Sequence, residues 1–385
     1  MAGKSGESRE SSFRLPPCSC CHPFSQLGVN GHRQKKDAIH KVSSIPVIPA
    51  LRGLLIALAL IAIGGCNLLR DATTRLPGPR LYEKGAVLIG ELREFERRIG
   101  FTETDNFLDL DHATESYPYC GIVSRDYLPY SYEDPAIRWT DAETEAECRA
   151  SAGAEADAYF GLTEAVGEQG TPVTGAMMAG SLVRFVYLVF HEDCHDQFDL
   201  PQGIEEPLCN VIAYNAMVAY AGEKEQQSTA LQRVAMRRYA ERESQRTRAA
   251  RSFYEQLAAL YGRHSRKELS AQALLDERAR LFGRAEKAVA WEKRSLNNVG
   301  IANDMTYSRH FPYLEQVFDA LGRDLSRTVA FFRKVDALKP SKASVVKRHR
   351  LKNVESVEFI RAYEEAVLET IRGELPAAAG DAVKK

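Results

Sequence analysis

The positions from Leu182 to Phe190 are apolar or aromatic with the single exception of Arg184, and they run without a break into His191-Glu192-Asp193-Cys194-His195. A segment hydrophobic on every side is a buried helix, not one laid on a surface. Pro201 and Gly203 then mark a turn, and Pro207 suits the first turn of a new helix. Leu208, Val211, Ile212 and Ala219 give that helix a buried stripe, so it doubles back against the first. Upstream, Val87, Leu88, Leu92 and Phe95 carry a helical period through 81–99. From 100 to 175 the texture changes: Tyr, Pro and Gly cluster at Tyr117–Gly121 and Tyr127–Tyr132, predicting short strands and loops with a helix near 142–166. Between Pro207 and Pro312 there is no proline, and the composition demands long helices broken at Gly222, near Gly262 and at Asn297–Asn303. Ser265 with Glu268 reads as a capping box opening a helix over 266–295. Phe311–Leu338 is one helix or a pair, stopped by Pro340, and a last amphipathic helix spans about 353–373. The fold class is mainly α, in an α+β arrangement, with a small N-terminal sheet region and a long-helix C-terminal part.

The end of the buried segment carries the chemistry. On a helix, His191 and His195 stand four apart and project from one face, so both imidazoles reach a single Zn²⁺. Glu192 is one residue round, placed to act as a base beside the metal; this is the HExxH arrangement of zinc hydrolases. Two histidines and an ionised glutamate drawn into a core need partners, which a metal provides. A catalytic zinc site takes a third protein ligand and keeps one position open. Glu205 and Glu206 open the following helix, and Glu206 is the expected ligand. Asn210, a turn further on, is positioned to hydrogen-bond a ligating histidine.

His191-Glu-x-x-His195 followed closely by Glu206 resembles the zincins with a glutamate third ligand. More narrowly, the chain is similar to a family of bacterial predicted zinc aminopeptidases, many of them lipoproteins. The likeness runs through Leu296–Ala302, Thr306-Tyr307 and Phe318–Leu325, covering about 176–338, with a vaguer match over 90–140. It departs at Asp193 and Cys194, where the family has small or apolar residues, at Asp196-Gln197, and at Glu205, where the family has Asn. The resemblance implies a zincin-like catalytic region, one zinc per chain and a peptide or other amide substrate. It also puts Tyr307 in a matched segment, where a phenol suits stabilisation of an oxyanion, with Asn297 and Asn298 beside it as candidate substrate contacts. An enzyme reading free N-termini needs an acid for the amine, and Glu205 is the expected one.

The first fifty residues are polar and unpatterned; Cys18, Cys20, Cys21 and His22 lack a second ligand pair at zinc-finger spacing. Arg52 precedes the apolar run Leu54–Ile63, too short to span a bilayer, which ends in Ile63-Gly64-Gly65-Cys66. This resembles a bacterial lipobox with Cys66 as the lipidated residue, implying a membrane-anchored protein facing the periplasm; Asn67 leans towards the outer membrane. A plain signal peptide or an uncleaved anchor is the simpler alternative. The expected organisation is therefore a leader to 65, a tether over 66–80, a substrate-side region over 81–175, a catalytic region over 176–338, and a basic linker, helix and tail over 339–385.

A hydrophobic content of 44% supports a sizeable core. The formal charge of −1 hides an asymmetry: residues 1–65 hold eight Lys and Arg against three acids, leaving the rest acidic by about six charges, which gives no support to a nucleic-acid partner. Beyond Cys66, Cys120, Cys148, Cys194 and Cys209 suit two bridges, Cys120–Cys148 and Cys194–Cys209, in an oxidising compartment, and suit buried free thiols equally. A di-iron bundle would need a second ExxH and a serine hydrolase a G-x-S-x-G elbow; neither occurs. The rival from another class is an envelope scaffold whose metal is structural or vestigial, against which the retained Glu192 speaks.

Overall fold

The structure, a computed structural model, describes residues 81–111, 116–167, 170–223, 230–289 and 296–380. The expected leader, Cys66 and the tether lie outside the described residues. Helix α1 (Leu81–Arg98) leads into β1 (Leu110–Asp111), β2 (Tyr117–Ser124), β3 (Arg138–Thr140), α2 (Glu145–Ala152), β4 (Ala156–Thr163) and β5 (Val173–Thr174). A short α3 (Gly175–Ala179) precedes α4 (Leu182–His195) and α5 (Gln202–Glu223). The remainder is helical: α6 (Ala230–Ser265), α7 (Ala271–Val289), α8 (Asn298–Ser308), α9 (Phe311–Ala320), α10 (Leu325–Leu338), α11 (Lys342–His349) and α12 (Val357–Gly380). This is the expected mainly helical α+β architecture, with the HExxH helix followed by the glutamate helix.

Helix α4 is buried along its whole length from Val183 to His195, as its all-round hydrophobicity requires. It packs along α5 and touches α1 and α6. Phe95 of α1 tilts against Phe190 at a ring separation of 5.6 Å, so the apolar stripe of the first helix covers the turn that carries the motif. The three-stranded sheet has β2 at its centre, antiparallel to β3 and β4, with Cys120 opposite both Thr140 and Phe160; separately β1 pairs parallel with β5. One sheet face, through Tyr119 and Tyr159, packs on Val299 of α8. The other meets α2, where Cys148 bonds to Cys120. A second disulfide, Cys194–Cys209, ties α4 to α5.

Several boundaries differ from expectation, each for a local reason. The helix near 142–166 is only α2: Thr144 and Glu147 cap it reciprocally, Gly153 ends it at a φ of 69°, and the alternating pattern from Ala156 becomes strand β4. Helix α5 starts five residues before Pro207, because the Ile204 and Glu205 N–H groups both bond the Pro201 carbonyl; Glu205 and Glu206 therefore lie within the helix. The Ser265–Glu268 capping box does not form. Helix α6 runs unbroken through Gly262 to Ser265, whose hydroxyl donates back to Tyr261 O, Glu268 pairs with Arg266, and Ser270 caps α7 instead. Phe311–Leu338 is a pair of helices, separated at Gly322 with a φ of 79°.

Candidate metal centre

His191 and His195 leave the last turn of α4 towards α5, where Glu206 meets them, and all three are buried to 1% exposure or less. His191 Nε2 and His195 Nε2 are 3.3 Å apart, and Glu206 Oε2 lies 3.2 Å from the first and 3.4 Å from the second. A tetrahedral zinc with ligand distances of about 2.0–2.1 Å separates its ligand atoms by about 3.3–3.4 Å. The donor triangle therefore already has the dimensions of a single Zn²⁺ site. Among the described residues no fourth ligand joins the cluster, which leaves one position open, as in catalytic zinc sites.

The surroundings select which nitrogen faces the metal. Tyr187, one turn before His191, donates its hydroxyl hydrogen to Asn210 Oδ1 at 2.7 Å, so its oxygen accepts from His191 Nδ1 at 3.3 Å. Glu205 Oε1 accepts from His195 Nδ1 at 2.8 Å, and its Oε2 from the Leu200 N–H at 2.7 Å. Both imidazoles thus carry hydrogen on Nδ1 and present Nε2 inward, the orientation such partners impose on zinc-bound histidines. Burial alone would push Glu206 up, but His195 and then His191 hold it down to about 2, so it is a carboxylate ready for a cation. Burial works against charge on His195, while Glu206 and Glu205 outweigh it and raise its pKa well above the usual histidine range.

Glu192 sits one residue round. Its Oε2 accepts from the Gly167 N–H at 2.6 Å, whereas Oε1 is buried with no partner among the described residues. Gly167 touches the motif too closely for any side chain: a Cβ there would stand 2.9 Å from Glu192 O and 3.0 Å from His195 Cβ. The segment holding Gly167 is fixed by Glu164, which takes the Arg184 guanidinium at 2.7 Å and whose carbonyl accepts from the Thr174 hydroxyl at 2.7 Å. Behind the motif, Asn106 Nδ2 donates to Asp193 Oδ1 at 3.1 Å and Asp196 Oδ2 at 2.8 Å, and Thr104 adds a 2.6 Å bond to Asp193. Burial raises Asp193 to about 6 against those donors, and burial followed by the neighbouring Asp193 raises Glu96 well above the carboxylate range.

A family model described as "Putative aminopeptidase" matches residues 103–350, well over half of the chain. The chain belongs to this aminopeptidase family. No curated protein and no solved structure matches it significantly. The family match and the donor triangle together make the chain a zinc metallopeptidase by class.

The remaining expected site residues of this aminopeptidase-family chain divide. Tyr307, on α8, donates to Glu206 Oε1 at 3.2 Å and so belongs to the centre. Asn210 belongs to it through Tyr187 and not by direct contact with a histidine. Glu205, expected to receive a substrate amine, instead spends both oxygens on His195 and the Leu200 N–H. Asn297 and Asn298, expected to touch substrate, are stitched into the fold. Asn297 caps α8 by accepting from the Gly300 N–H and donates to Ala158 O. Asn298 donates to the Arg125 and Tyr127 carbonyls and meets the Tyr261 hydroxyl. They fasten α8 to β4 and to the loop after β2. Tyr187 was missed by sequence reasoning although its spacing of four from His191 was there to be read. Gly167 carried no sequence signal at all.

Proposed function

We propose that the protein is a zinc-dependent aminopeptidase, anchored to a membrane as a lipoprotein through Cys66 and facing the periplasm. The observation that carries the hydrolytic reading is Glu192: one oxygen is pinned by a backbone N–H, and the other is buried with no partner among the described residues, on the same helix turn as two of the three donors that fit zinc. A structural metal site has no use for such a group. Held by His191, His195 and Glu206, zinc supplies Lewis acidity, polarising a carbonyl and lowering the pKa of water towards about 7. Glu192 Oε1 takes the proton from the attacking water as the new C–O bond forms and delivers it to the amine nitrogen as the peptide C–N bond then breaks. Tyr307 is the donor for the negative charge that develops on the carbonyl oxygen, turning from Glu206 Oε1 to do so. Exclusion of bulk water by the buried α4–α5 turn strengthens each of these interactions.

The anchoring reading draws on the lipobox resemblance at Cys66 and on two disulfides, which suit an oxidising compartment. No helix among the described residues is long and apolar enough to cross a membrane. Hydrolysis of aminoacyl-aminocoumarin and short peptide panels by the zinc-loaded protein tests the enzymatic part: turnover is expected, abolished in Glu192→Gln. Undiminished turnover in that variant refutes the base assignment. Incorporation of labelled palmitate into the full-length protein, lost in Cys66→Ala, tests the anchor; no incorporation refutes it.

A further inference from the structure

The metal donors sit where two helices end. His195 is the last residue of α4, and Glu206 lies in the opening turns of α5, with residues 196–201 joining the two. Helix ends fray, because their terminal N–H and C=O groups lack partners within the helix. A cross-link stands at this point. Cys194, the residue before His195, is bonded to Cys209, one turn beyond Glu206, and both are fully buried. Two hydrogen bonds also cross between the helices here, His195 to Glu205 and Tyr187 to Asn210, and both act on the orientation of side chains. Asn106 holds Asp193 and Asp196 from behind, but it belongs to the segment before β1 and not to α5. The disulfide joins the two ligand-bearing backbones covalently. The other bond, Cys120–Cys148, lies between β2 and α2 in a cluster that contains none of the site residues.

We propose that Cys194 and Cys209 are positioning residues of the metal centre, whose bond fixes the spacing of the donor triangle and thereby sets the zinc affinity. The sides of that triangle are 3.2–3.4 Å. A slip of about 1 Å between the last turn of α4 and the first turns of α5 is enough to lose such a geometry. The bond resists that slip at the one level where all three donors stand. It acts through the backbone and not by contact with the metal, since a disulfide sulfur carries no thiolate to donate. Overall stability is a separate matter. A cross-link stabilises a fold more the longer the loop it closes. By that measure Cys120–Cys148, spanning 28 residues, contributes at least as much as Cys194–Cys209, spanning 15. The two bonds differ in place and not in kind, which makes the first a control for the second. The inference needs the zinc site and goes beyond the peptidase reading, on which it does not depend.

The test measures the zinc affinity of the full-length protein by competition with a chromogenic chelator, alongside thermal unfolding. The Cys194→Ala/Cys209→Ala variant is expected to hold zinc about 10- to 100-fold more weakly than wild type, the loss typical when the support around a metal ligand is removed. The Cys120→Ala/Cys148→Ala variant is expected to unfold at a lower temperature yet keep the wild-type zinc affinity. Co²⁺ loaded in place of zinc reports the geometry directly: its ligand-field absorption is expected to change in the first variant and to keep the wild-type shape in the second. Wild-type affinity and spectrum in the first variant, or equal losses of affinity in both, overturn the proposal. Cys194→Val/Cys209→Ala refills the volume of the sulfurs and decides the matter if the first variant fails to fold. Failure of both to fold, while the control folds, makes the bond an element of the fold and overturns the positioning role. A wild-type protein that takes up no zinc overturns the centre and the proposal together. One that binds zinc but cleaves no peptide refutes the peptidase alone, and the affinities still judge the disulfide.

Discussion

Replacing Gly167 with alanine adds one methyl group and probes the least obvious part of the centre. The new Cβ would stand 2.9 Å from the Glu192 backbone oxygen, 3.0 Å from His195 Cβ and 3.2 Å from Glu192 Oε2. The first of these is backbone in a fully buried helix and cannot give way, so the 164–167 segment must retreat. Overpacking of this kind costs about 1–3 kcal/mol in stability. Retreat also stretches the 2.6 Å bond from the Gly167 N–H to Glu192, and hydrogen bonds to a charged group are worth about 1.5–3 kcal/mol. If that bond orients the base, the loss appears in the transition state, and kcat falls about 10- to 100-fold. Of the ligands, His195 meets the new methyl at its Cβ and not at the metal-facing Nε2, so zinc content is expected to stay near the wild-type level. Gly90→Ala, on α1 with nothing within 4 Å of a new Cβ, is the control and leaves kcat unchanged. Thermal unfolding, elemental analysis and kcat on one peptide substrate complete the comparison. Wild-type kcat in Gly167→Ala would refute the orienting role, and loss of zinc would show that the segment supports the ligands instead.

Three further outcomes follow from the same contacts. Glu205→Ala frees the His195 ring and is expected to weaken zinc about 10- to 100-fold, read by competition with a chromogenic chelator; unchanged affinity contradicts the carboxylate–histidine pairing. Tyr307→Phe removes the donor to Glu206 and to the developing oxyanion, so kcat is expected to fall about 100-fold with little change in KM, whereas a KM effect alone removes it from the transition state. Glu96 has a folded pKa raised well above its unfolded value, so the folded state holds a proton that the unfolded state has lost as pH climbs past the ordinary carboxylate range. Its contribution therefore falls as pH rises above the ordinary carboxylate range, and in chelator-treated protein Glu96→Gln is expected to lose stability less steeply than wild type as pH climbs from there. Parallel curves would refute the raised Glu96 carboxyl.

Much of this was written in the chain. The all-apolar run before His191 required a buried helix, and a buried HExxH required a partner helix with an acid on it, which Glu206 supplies. Tyr307 was legible only through the family resemblance, because nothing in local spacing ties residue 307 to residue 206. What the sequence did not reveal came from contacts between distant segments. Glu205 looked available beside Glu206 because helix α5 was expected to open at these two residues, with Pro207 in its first turn; it starts at Gln202, and Glu205 bonds His195 instead. Asn297 and Asn298 sit in a matched segment, yet capping and strand fastening claim their side chains. Gly167 is an ordinary residue in sequence, and only the packing of the β4–β5 segment against the last turn of α4 gives it meaning.

The central claim is that His191, His195 and Glu206 form a zinc site, and zinc content per chain tests it most directly. Protein purified without chelator and supplied with zinc is expected to hold about one equivalent, lost in His195→Ala, as one tetrahedral site with three protein ligands requires. No zinc in the wild type after that treatment, or equal zinc in the variant, would contradict the account.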